Sequence, residues 1–78
     1  MPVVYILINS ELGMEEDLIQ ELRKMENIKE AYVAYGVYDV IVKAEAENME
    51  NLKELVAFKI RRMKEVKNTL TMTVAEGV

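Results

Sequence analysis

The chain of 78 residues has no cysteine, no histidine, no tryptophan and a single serine. Without cysteine no disulfide can staple the fold, and the absence fits a reducing compartment. Without histidine or cysteine a zinc site lacks its usual ligands. There is no imidazole base, no thiolate and no serine–histidine pair. An enzyme built on this chain would have to run on carboxylates, lysine or tyrosine, so we expect no enzyme, no metal and no cofactor. Long hydrophobic runs are missing too. None approaches the roughly 20 residues of a membrane span, and residues 1–10 lack the basic start of a signal peptide. The expected location is the cytoplasm. Positive charge is in deficit, with ten basic against fourteen acidic side chains and a net charge of −4. A nucleic-acid binder needs a basic footprint. The cluster Lys59, Arg61, Arg62, Lys64 reads as a solvated helix face, so no direct nucleic-acid contact is expected.

What is present is short and strongly patterned. Seventy-eight residues make one domain with a modest core, for which oligomerisation is the natural source of further buried area. Val3 to Ile8 is a continuous, β-branched apolar run, read as a strand buried on both faces. Asn9 to Gly13 breaks it. A helix is expected over 14–25, with Glu15, Glu16 and Asp17 in its first turn, where the dipole favours negative charge. Met14, Leu18, Leu22 and Met25 form its apolar stripe. Strands follow over 28–35 and 38–46. Asn48 caps a second helix over 49–63, with Leu52, Leu55, Val56, Ile60 and Met63 as its stripe. Phe58 falls off that stripe. A fourth strand alternates over 66–74: Val66, Leu70, Met72 and Val74 on one side, Lys67, Thr69, Thr71 and Thr73 on the other. Each half runs strand, helix ending in methionine, then Ile/Val-Lys and a strand. This order predicts an α+β, ferredoxin-like βαββαβ fold, a four-stranded antiparallel sheet with two helices on one face.

A one-sided sheet leaves a second face to explain. A two-residue turn at Gly36-Val37 would pair Tyr35 with Tyr38 and Val33 with Val40. The helices then cover Val33, Val40, Val42 and Ala44. Ile28, Tyr32, Ala34 and Ile41 join Val3 or Val4, Tyr5 and Leu7 on the other face, and the threonine row is expected beside them. A face this apolar calls for a partner. We expect two copies stacked sheet on sheet over Tyr5, Leu7, Tyr32 and Ile41.

The segment Tyr35-Gly36-Val37-Tyr38-Asp39 holds one of only two aspartates in a chain with twelve glutamates. Glycine at the first turn position suits a type II′ turn with positive φ. Backbone N–H groups around such a turn can receive a carboxylate, and Asp39 can accept charge-assisted hydrogen bonds from an ammonium group. Together these are the needs of a free α-amino acid. The plainer reading is that Asp39 only bonds its own turn. Tyr32, Tyr35 and Tyr38 fit packing with a hydroxyl at the rim. Thr69, Thr71 and Thr73 are either the polar side of a strand or hydroxyls for a ligand.

The run from Ile28 through Gly36-Val37-Tyr38-Asp39-Val40-Ile41-Val42, then Leu52, Leu55 and Val66 to Val74, resembles the effector-binding (RAM) domain of the Lrp/AsnC, or feast/famine, regulators. The resemblance covers about Val3 to Ala75, and Gly-x-Tyr-Asp is its most specific part. It implies a stand-alone form, since the first strand leaves no room for the family's helix-turn-helix. It also implies a sheet-to-sheet homodimer of the dimeric α+β barrel type, and rings such as octamers or decamers. An amino-acid effector would bind between dimers. Gly36, Val37, Tyr38 and Asp39 would form one side of that site and Thr71 and Thr73 the other. Full-length Lrp/AsnC regulators would be partners. The chain departs from the family pattern at Tyr35 and Val37, which make the mouth more crowded and apolar, and at Lys64-Glu65, where Pro-Gly is common. A purely structural oligomerisation module, an ACT-like regulatory domain and an enzyme of the dimeric α+β barrel type are the rival readings.

Overall fold

The computed structural model describes residues 1–75. Its elements are β1 (Val3–Ser10), α1 (Glu15–Arg23), β2 (Ile28–Val33), β3 (Val40–Glu45), α2 (Met49–Glu54) and β4 (Val66–Thr73), with a π-helical segment over Leu55–Ile60 continuing α2. The sheet order is β2-β3-β1-β4, and every neighbouring pair is antiparallel. This is the expected ferredoxin-like βαββαβ arrangement.

The apolar periods place the core. Val4, Ile6 and Ile8 of β1 and Val40, Val42 and Ala44 of β3 are essentially inaccessible. They pack with Leu18, Ile19 and Leu22 of α1 and with Leu52, Leu55 and Ile60 of the second helical stretch. Both helices therefore lie on one face. Acidic residues fill the first turn of α1. Asn48 caps α2, its side-chain oxygen accepting from the Asn51 N–H at 2.8 Å. In the β1–α1 turn the Met14 N–H donates to the Glu11 carbonyl at 3.0 Å. Gly13 sits in that turn with φ of +76°, a conformation that favours glycine.

Four expectations are corrected. The second helix is not a uniform α-helix to Met63. Leu55 and Ile60 are five residues apart, about 1.4 α-helical turns, and would point to different sides. Both are buried. A π turn reconciles them, with the Arg61 N–H donating to the Val56 carbonyl at 2.9 Å. Second, Ile28 lies on the helix face. The register shifts between Ile28 and Glu30, so Ile28 pairs with Ala44 while Glu30 pairs with Lys43. A bulged residue flips the side of everything beyond it. Asn27 holds the far end of this irregularity: its backbone carbonyl accepts from the Glu45 N–H and its side chain donates to the Glu45 carbonyl.

Third, the threonine row belongs to the helix side. Thr69, Thr71 and Thr73 pair with the buried Ile8, Ile6 and Val4. Leu70 and Met72, opposite Leu7 and Tyr5, line the open face instead. The register of β4 slips between Asn9 and Ser10, so that Val66 reaches Ser10 and packs against the core. The even-numbered row of β4 is thus divided between the two faces. Fourth, β2 ends at Val33 and β3 begins at Val40. Val33 pairs with Val40 as expected, but Tyr35 and Tyr38 belong to the connecting loop. Gly36 has no positive φ, which rules out the type II′ turn.

Candidate functional site

The β2–β3 connection, Ala34 to Asp39, projects from one end of the sheet. It is closed by the Ala34 N–H donating to the Asp39 carbonyl at 2.7 Å, and tied to β1 by the Asp39 N–H donating to the Ile8 carbonyl at 3.0 Å. The Asp39 side chain completes the attachment. Its Oδ2 accepts from the Ser10 N–H at 3.0 Å and from the Ser10 hydroxyl at 3.4 Å. Asp39 is half-buried. It therefore bonds neither its own turn nor solvent alone. It latches the loop to the end of β1 through one carboxylate oxygen, and among the described residues Oδ1 has no donor. Ser10 was not anticipated as its partner, although being the only serine in the chain was a signal.

Gly36, Val37 and Tyr38 complete the tip. Gly36 and Val37 are exposed and Tyr38 is partly buried. Tyr35 is fully exposed. A Cβ added to Gly36 would meet nothing within 4 Å. With no positive φ and no close neighbour, the chain itself makes no demand for glycine here. A contact from outside the chain would.

Thr71 and Thr73 lie elsewhere. They sit at the outer edge of the sheet, opposite Ile6 and Val4, whereas Asp39 bonds Ser10 at the other end of β1. Four residues of strand separate Ser10 from the partner of Thr71 and six from that of Thr73, roughly 13 to 20 Å at the rise of a β-strand. One chain does not bring the two expected halves together. The threonines line a groove of about 380 Å³ between β4 and the second helical stretch, floored by Val4, Leu52 and Val56 and flanked by Lys53 and Arg61. Neither cation was singled out for this place from sequence, because their position depends on the π turn and on the side to which the threonines point.

The open face carries Tyr5, Leu7, Tyr32 and Ile41 as expected, together with Leu70 and Met72. Five of these six are between 37% and 54% exposed, a contiguous apolar surface crossing all four strands. Its polar margin is organised. The Tyr32 hydroxyl donates to Glu30 Oε1 at 2.7 Å, and Lys43 Nζ lies 3.7 Å from Glu30 Oε2. The bond to the Glu30 carboxylate, reinforced by its negative charge, raises the Tyr32 pKa above that of a free phenol. Phe58 is also exposed, with the Arg62 guanidinium 5.4 Å from its ring centre. Among the described residues no helix is long and apolar enough to cross a membrane.

Comparison with known proteins sets this geometry in context. Residues 3–78 match the family model of the Lrp/AsnC ligand binding domain. An uncharacterized HTH-type transcriptional regulator of Pyrococcus furiosus is 28% identical over 58 residues, which is 74% of this chain and 39% of that protein. The match thus spans about two-fifths of that regulator's length. A hypothetical protein of Pyrococcus horikoshii is 38% identical with a TM-score of 0.92, covering 99% of this chain and 93% of that one. A Neisseria meningitidis transcriptional regulator, solved as its L-Met complex, shares the fold at 15% identity and a TM-score of 0.90, covering 99% of this chain and 51% of that one.

Proposed function

The chain belongs to the Lrp/AsnC family as one of its ligand-binding domains, and from that premise we propose that it is a non-enzymatic module that binds a free amino acid and oligomerises, modulating transcription of amino-acid metabolism. A regulatory, effector-binding role follows from the family. The amino acid, the assembly and the residues are our reading. Gly36 carries it: a glycine that the chain does not itself require stands three residues from a half-buried carboxylate, one oxygen of which has no donor among the described residues. An ammonium group at Asp39 Oδ1 would gain a charge-assisted bond. The missing Cβ at Gly36 leaves the backbone of Val37 and Tyr38 open to a ligand carboxylate. That the L-Met complex of the Neisseria regulator shares this fold is in keeping with such a ligand.

Because Thr71 and Thr73 stand four and six residues along β1 from Ser10, they join this site only from a neighbouring subunit. The open face supplies the first contact of such an assembly, a sheet-on-sheet homodimer over Tyr5, Leu7, Tyr32 and Ile41, with Leu70 and Met72 enlarging it. Burying the exposed half of each side chain is worth on the order of 1 kcal/mol. Dimers would then associate into rings, octamers or decamers, and mixed assemblies with full-length Lrp/AsnC regulators would carry the signal to DNA.

A thermal-melt screen against the twenty amino acids tests the reading. Ligand bound only to the folded state raises Tm in proportion to the logarithm of its concentration, so at least one amino acid should do so, and Asp39→Asn should abolish the rise. A Tm that ignores every amino acid would leave the structural oligomerisation module. The full exposure of Tyr35 and the near-full exposure of Val37 favour that second reading.

A further inference from the structure

The groove between β4 and the second helical stretch is out of keeping with its own face of the sheet. There, β1 and β3 bury side chains to near-zero exposure, from Val4 to Ala44. β4 instead presents Thr71 and Thr73, and both remain exposed. The helical stretch stops short of covering them, and about 380 Å³ of space opens over Val4, Leu52 and Val56. That volume lies within the range of small-molecule sites, which combine an apolar lining with a few polar groups.

The polar groups are of one kind. Lys53 and Arg61 line the groove, and among the described residues no carboxylate does. Among the described residues the ion pairs are Lys24–Glu21 and Lys43–Glu30, so neither groove cation is neutralised by a neighbour. The π turn bears directly on this arrangement. The Arg61 N–H closes onto the Val56 carbonyl, five residues back, and both residues, with Ala57, line the groove. π turns of this kind recur at functional sites.

We propose that this groove binds a short aliphatic carboxylate without an ammonium group, a branched-chain 2-oxo acid being the best fit. Arg61 and Lys53 take the carboxylate by charge-assisted bonds, the guanidinium offering a fork that matches it. The Thr71 and Thr73 hydroxyls donate to the oxo oxygen. The branched tail lies on Val4, Leu52 and Val56. An α-amino acid would bring an ammonium group into a site with two cations and no anion, which repels it. The groove therefore discriminates a 2-oxo acid from the corresponding amino acid. This groove shares Thr71 and Thr73 with the amino-acid site proposed above, but takes its anion at Lys53 and Arg61 and does not depend on Asp39.

The test is an amide-resolved NMR titration of the whole chain with 4-methyl-2-oxopentanoate, with leucine as the counterpart. The oxo acid should shift the amides of Val56, Arg61, Thr71 and Thr73 at millimolar concentration. Leucine should leave the Val56 and Arg61 amides unmoved. Affinity for the oxo acid should fall about tenfold or more in Lys53→Gln/Arg61→Gln, whose fold is checked by its own spectrum, and should be unchanged in Asp39→Asn. No shift at the Val56 and Arg61 amides, equal shifts there with leucine, or undiminished affinity in the double variant would each overturn the proposal. None of these outcomes bears on amino-acid binding at Asp39, which is read separately at the Gly36 to Asp39 amides.

Discussion

Asp39 has two duties that different substitutions separate. Asp39→Ala removes the acceptor for the Ser10 N–H and hydroxyl and leaves the donors of the buried Ser10 unpaired, at a cost of about 1–3 kcal/mol, measurable as a lowered urea midpoint. Asp39→Asn keeps an acceptor oxygen and removes the charge, so stability should change less while ammonium binding is lost. Gly36→Ala separates the duties in the opposite sense. With no positive φ and nothing near the added Cβ, it should leave stability unchanged or raise it by about 0.4–1 kcal/mol through the unfolded state, and weaken effector binding. Tyr32 gives a prediction in pH. Its bond to Glu30 raises its pKa in the folded chain. The stability it contributes is therefore fully present below the pKa of free tyrosine and is lost as pH rises through the folded value. Glu30→Gln should bring the phenolate absorbance of Tyr32 in at lower pH. Asp39 was legible as the residue to watch. Its partner was not, because Ser10 is 29 positions away and the pairing depends on how far β1 runs past its apolar stretch.

Among the elements, α2 depends on its cap. Asn48→Ala should cost about 1 kcal/mol, read as a lowered Tm, since the Asn51 N–H would lose its acceptor. Order and type of the elements were legible because period 2 and period 3.6 are local properties of the chain. Three features were not, and each turns on a single inserted residue. A bulge at Lys29 carries Ile28 to the helix face, a slip beside Ser10 parts Val66 from Leu70, and a π turn keeps Leu55 and Ile60 on one side. Alternation gives two rows on a strand but not which row faces the helices; register with the neighbouring strand decides that. Hence the threonines, expected on the open face, stand over the groove beside Lys53 and Arg61. The missing positive φ at Gly36 has a similar origin. A glycine followed by one residue between two strands fits a two-residue turn, but Asp39 bonds across to β1 and the loop is longer.

At the scale of the whole molecule, the open face and the loop tip are the surfaces on which the proposed assembly and ligand site rest. Ile41→Lys places a charge at the centre of the apolar face, beside Leu7 and Tyr32. It should shift the light-scattering mass toward one chain while sparing the core, whose members lie on the opposite side. A wild-type mass equal to one chain at micromolar concentration would contradict the dimer. The ligand site we propose lies at the β2–β3 loop, where Asp39 is held by Ser10. Isothermal titration of the assembled wild-type protein with each of the twenty amino acids, repeated on Asp39→Asn, is the most direct test. The account predicts saturable heat with at least one amino acid, lost in Asp39→Asn. No heat with any amino acid, or the same heat in the variant, would contradict it.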